Sequence, residues 1–128
     1  MATNSSTSAT ILLLVSDPIV RSVLHETFEH AGYAVLSTGS LGEAVDRLKM
    51  CAPDLLITRT YVQGMTGHDA AMYLRNRCPK MRVLLVGGLL DDERLQYREA
   101  LQRFEVFPKP YKAAELLQKV KDVLSNPR

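Results

Sequence analysis

Pro53-Asp54-Leu55-Leu56-Ile57-Thr58-Arg59 is a short apolar run that opens on a proline and an acid and ends on a cation. Apolar side chains in succession, with no polar alternation, suit a strand covered on both faces, as in a parallel sheet with helices above and below it. Runs of the same kind stand at 11–15, 34–36, 83–86 and 106–107. Between them the period changes. Val20, Leu24 and Phe28 recur every fourth residue, as do Leu116, Val120 and Leu124, which puts each set on one helical face. Asp17 before Pro18 is a helix start and Gly32 a stop. Ser40 with Glu43 three residues on forms a capping box for a second helix through Cys51. Asp69 marks the start of another helix, and Asp91, Asp92 and Glu93 of one more, with a weaker stripe of Leu90, Tyr97, Leu101 and Phe104.

Strands alternating with helices predict an α/β fold, a five-stranded parallel sheet doubly wound in flavodoxin-like order, because parallel neighbours need crossovers. In such a sheet the functional groups gather outside the carboxyl ends of the strands. Those ends deliver Val15, Ser16 and Asp17, then Arg59, then Gly87 and Gly88, then Pro108, Lys109 and Pro110.

The chain of 128 residues is sized for one domain and buries about two-thirds of its unfolded surface. Residues 1–9, rich in Ser and Thr, read as a flexible tail, and 10–125 as the domain. A net charge of +2 gives no electrostatic case for nucleic acid or membrane. The longest apolar stretch, 11–15, is too short to span a bilayer, and the uncharged leader lacks a basic secretory n-region. Cys51 and Cys78 have neither zinc nor redox spacing, so they read as reduced thiols, and a cytoplasmic setting is expected. His25, His30 and His68 share no ligand spacing and are assigned surface or packing roles. The first strand has no glycine-rich phosphate turn, which argues against nucleotide or flavin binding.

Five segments together carry a family resemblance: LVSDPIVR at 14–21, AGYAVL at 31–36, APDLLITR at 52–59, GMTG at 64–67 and FPKPY at 107–111. In order and spacing they resemble the receiver domain of bacterial two-component response regulators, over residues 10–124. The resemblance implies a domain that takes a phosphoryl group from a histidine kinase onto an aspartate ending the third strand. An acidic pair after the first strand would hold Mg²⁺, and a lysine and a hydroxyl would read the new charge.

Laid on this chain, the phosphoacceptor position falls on Arg59, whose guanidinium cannot form an acyl phosphate. With Pro18 as anchor, the acidic pair falls on Val15 and Ser16, leaving Asp17 one position beyond. The hydroxyl position falls on Gly87 and the aromatic switch position on Val106. The loop proline is replaced by Gln63. Lys109, Pro110, Gly64 and Gly67 persist. Ser16, Asp17, Arg59, Gly87 and Lys109 are thus the pocket equivalents, with no catalytic residue, no cofactor and the Mg²⁺ site lost.

The expected function is an atypical receiver, not an enzyme, that works by phosphorylation-independent contact with a histidine kinase, an output domain or another regulator. A homodimer through the last strand and last helix, near Val106, Phe107 and Tyr111, is a further expectation. Two finer ideas attach to Arg59. It could form an ionic lock with Asp17 in place of the metal, or join Lys109 in binding a small anion. Asp54 and Asp69 are poor substitute phosphoacceptors, since Asp54 opens the third strand and Asp69 starts a helix.

Overall fold

Residues 11–14 form a fully buried interior strand because they are apolar on both sides, and a strand of that kind is stable only where both faces are covered. The computed structural model describes residues 9–59, 61–62, 65–87, 105–108 and 112–125. Five parallel strands build the main sheet: β1 (Thr10–Leu14), β2 (Ala34–Thr38), β3 (Leu55–Arg59), β6 (Arg82–Gly87) and β7 (Glu105–Pro108). Their order is β2-β1-β3-β6-β7. Two short strands, β4 (Tyr61–Val62) and β5 (Met65–Thr66), pair antiparallel as a separate ribbon.

Among the described residues four helices cover the sheet: α1 (Pro18–His30), α2 (Leu41–Leu48), α3 (Gly67–Arg77) and α4 (Ala113–Ser125). Alternate strand residues divide the core in two. Leu12, Leu14, Leu56, Val83 and Leu85 pack with Ala44 of α2 and Ala70, Ala71 and Leu74 of α3. Ile11, Leu13, Leu55, Ile57, Leu84 and Val86 pack with Leu24 and Phe28 of α1 and Leu116, Val120 and Val123 of α4. The helices therefore lie on both faces, as the doubly wound reading requires.

Helix ends follow local chemistry. The Asp17 carboxylate accepts from the backbone N–H groups of Ile19 (2.8 Å) and Val20 (3.3 Å), while Pro18 opens the first turn. Gly32, with φ 101°, turns the chain out of α1 in a conformation that side-chain-bearing residues rarely adopt. At α2 the Ser40 hydroxyl accepts from Glu43 N–H (3.2 Å), but the Glu43 carboxylate accepts from the N–H of Gly39 (2.7 Å), one residue before the usual capping-box donor. Thr66 caps α3 by accepting from Asp69 N–H at 3.0 Å.

Several boundaries differ from the sequence reading. α2 stops at Leu48, short of Cys51, because Lys49 takes the C-cap and the chain turns toward Pro53. β2 continues to Thr38, two residues past its apolar run, since the Thr38 side chain is buried and donates to Leu13 O at 2.8 Å. On α4 Val123 is buried while Leu124 is half-buried, so the stripe rotates by one position at its end. The tail up to residue 8 and the helix expected around 91–104 lie outside the described residues. Among the described residues, no helix is long and apolar enough to cross a membrane.

Candidate functional site at the carboxyl edge of the sheet

Strand register brings the singled-out residues to one edge. Leu14 pairs with Thr58, so Val15 continues β1 beside Arg59, and Arg59 itself pairs with Val86. Gly87 pairs with Pro108 at the far side of the same edge. Val15 is fully buried, Ser16 and Arg59 are half-buried and Asp17 is exposed. Strand order reverses at the β1/β3 seam, which is where an open α/β sheet leaves a crevice for function. The end of β3 occupies that seam, which places Arg59, half-buried, at the middle of the edge.

Asp17 does not neutralise it. Its carboxylate is engaged by the two N–H groups that open α1, and among the described residues no ion pair joins Asp17 to Arg59. The expected ionic lock is therefore corrected. A helix start leaves N–H groups without intrahelical acceptors, and the carboxylate two and three residues away satisfies them directly. Lys109, expected to join Arg59 in binding a small anion, lies outside the described residues, as do Gly88, Pro110 and Tyr111.

A second guanidinium belongs to this edge and was not singled out in the sequence. Arg21, on the first turn of α1, donates through Nη1 to the carbonyl of Val15 at 2.8 Å and to that of Ser16 at 3.5 Å. It thereby occupies the main-chain acceptors of the very loop that follows β1. Gly39 lies directly beneath it, and a Cβ there would overlap the guanidinium. The only trace of this in the sequence is an arginine four residues after the cap. Nothing in periodicity says that it folds back over the loop.

The remaining polar groups are accounted for elsewhere. Thr58, buried beside Arg59, donates to Leu14 O at 2.8 Å. Asp54 sits at the opposite, amino edge, where its carboxylate accepts from Thr10 N–H at 2.8 Å. Asp69 lies exposed in the first turn of α3, 3.6 Å from His68 Nδ1. Among the described residues no group of three His, Cys, Asp or Glu side chains converges on a common point.

An open, doubly wound parallel sheet with its crevice at the β1/β3 seam defines the class of small flavodoxin-like α/β domains. Within that class the chain belongs to the response regulator receiver domain family, whose pattern it matches over residues 11–121. It is therefore a receiver domain of two-component signalling. It is 27% identical over 125 residues to the sensor kinase CckA of Brucella abortus, a match covering 96% of this chain and 13% of the kinase. The chain thus spans about an eighth of that relative's length. It is 25% identical to sporulation initiation phosphotransferase F of Bacillus subtilis, covering 88% of this chain and 92% of that protein. A solved receiver protein from Sinorhizobium medicae superposes with a TM-score of 0.77 at 25% identity, covering 91% of this chain and 94% of the other.

Proposed function

We propose that this receiver domain signals by protein contact and takes no phosphoryl group. One observation carries the reading: Arg59 ends β3 at the β1/β3 seam, the position where the family resemblance calls for a reactive carboxylate. A guanidinium is a permanent cation without a nucleophilic oxygen. The metal site is proposed lost on the same grounds. Val15 and Ser16 bring no carboxylate, the Val15 carbonyl is taken by Arg21, and Asp17 is taken by the α1 cap. Hard divalent cations want several oxygen ligands, carboxylates foremost, and the described residues of this edge do not fit that demand.

The partner is a histidine kinase, an output domain or another regulator, met in the cytoplasm, with self-association through β7 and α4 as one form of contact. Exposed Ile19 and Val23 on α1 support a protein-binding role, since they flank an apolar hollow of about 330 Å³ shared with Ala113 and Leu116 of α4. A thermal melt with Mg²⁺ and beryllofluoride, which mimics an acyl phosphate, tests the reading. The melting temperature is expected to stay put, and a rise of several degrees would overturn it.

A second reading has one observation in its favour. Arg59 is half-buried with no carboxylate paired to it among the described residues, so with Lys109 it could receive a small anion. Stabilisation by phosphate or sulfate that disappears in Arg59→Ala supports this reading, and equal behaviour of the two proteins removes it.

A further inference from the structure

A trio of side chains on the α1 face of the sheet, outside the β1/β3 seam and next to the last residue of β2, has the geometry of an activated nucleophile. His25 on α1 stands over Ser37 on β2, with Nδ1 2.6 Å from the Ser37 hydroxyl. The other ring nitrogen, Nε2, lies 3.2 Å from the Glu29 carboxylate one helical turn further on. A carboxylate only accepts, so in the neutral ring it fixes the proton on Nε2. Nδ1 is left as the acceptor for the Ser37 O–H. A nucleophile within hydrogen-bond reach of a base, with that base oriented by a third group, is the general signature of nucleophilic catalysis.

The surroundings allow access. The side chains of His25 and Glu29 are 31% and 57% exposed, and Ser37 is half-buried on the edge strand of the sheet. Ala34 N–H bonds to Ala9 O and Thr38 O accepts from Val15 N–H. In a parallel ladder the alternate residues then turn their main chain outward, so the Ser37 N–H projects from the open edge. It is a backbone donor on the nucleophile's own residue for a developing oxyanion. One donor of this kind suits acyl groups that carry a good leaving group.

We propose that Ser37 is an acyl-accepting nucleophile, with His25 as its base and Glu29 as the residue that positions the ring. The substrate class is an activated carboxylic ester or thioester. Ser37 Oγ attacks the carbonyl carbon as its proton passes to His25 Nδ1. The bond to the leaving oxygen or sulfur then breaks, that atom takes the proton, and an ester on Ser37 and a free alcohol or thiol remain.

The test incubates the full chain with p-nitrophenyl acetate and maps acetylated peptides over time, with circular dichroism melts of every variant as a check on folding. Acetylation of Ser37 is expected, slowed about a hundredfold in His25→Asn, a typical general-base contribution. Glu29→Gln, a change at an exposed helix position, should slow it in the same direction, and Ser37→Ala should remove the adduct. Acetyl groups found only on amines would overturn the assignment. So would a Ser37 labelling rate that is the same in the wild-type chain, His25→Asn and Glu29→Gln, because the trio would then merely tie α1 to the sheet.

Discussion

Replacing Asp17 separates a helix cap from an ionic lock. Its carboxylate holds Ile19 N–H at 2.8 Å and Val20 N–H at 3.3 Å, so Asp17→Ala leaves two donors at the start of α1 without a protein acceptor. Loss of such a cap costs typically about 1 kcal/mol, within a range of about 0.5–2. Asn and Ser cap about as well as Asp, so Asp17→Asn and Asp17→Ser forfeit only the charge at the helix N-terminus, roughly 0.3–1 kcal/mol. The chain has no tryptophan, so unfolding in urea is best followed by far-UV circular dichroism. With a slope of about 2 kcal/mol per molar urea, the Ala variant should lower the midpoint by roughly 0.5 M. The decisive arm is a double-mutant cycle with Arg59→Ala. Without an ion pair the two substitutions should add to within about 0.5 kcal/mol. A coupling energy above about 1 kcal/mol, or an Asn variant as damaged as the Ala variant, would refute the cap account and restore the lock.

Other consequences follow from packing. Phe28 is fully buried between α1 and the sheet, so Phe28→Ala should cost about 3–5 kcal/mol, whereas Ile19→Ser, at an exposed site on the same helix, should stay within about 0.5. Gly39→Ala should displace Arg21 from the Val15 carbonyl and cost about 1 kcal/mol in denaturant melts, a loss that disappears in an Arg21→Ala background. Burial pushes the Tyr33 phenol up from its ordinary 10.0. The unfolded chain therefore releases this proton first, so stability present below pH 10 should fall as pH rises through 10. Tyr33→Phe should flatten that alkaline decline in melting temperature.

The sheet was legible because its strands are covered on both faces. Leu12 and Leu13 look at opposite cores and are both fully buried, so 11–15 reads as one unbroken apolar run. α1 was legible at both ends, from Asp17-Pro18 and Gly32, since those residue types answer fixed demands of helix termini. The β4/β5 ribbon was not, because two residues a strand are too few to show a period, and its one signal was the glycine between Tyr61-Val62 and Met65-Thr66. The site was legible in position more than in contact. Arg59 falls at the seam as its place in the run requires, yet whether Asp17 faces it or the helix is a choice between two acceptor roles that spacing does not decide. Arg21 over the Val15 carbonyl and His25 against Ser37 join residues through chain reversals, six and twelve residues apart, which a linear pattern does not record.

The central claim is that the chain carries a receiver's scaffold without its phosphoacceptor. Intact mass after incubation with Mg²⁺ and acetyl phosphate tests it most directly, with Arg59→Asp run alongside. The account predicts no phosphoryl adduct on the natural chain. A stable adduct would contradict it, and peptide mapping would then identify the carboxylate or histidine that had taken the phosphoryl group.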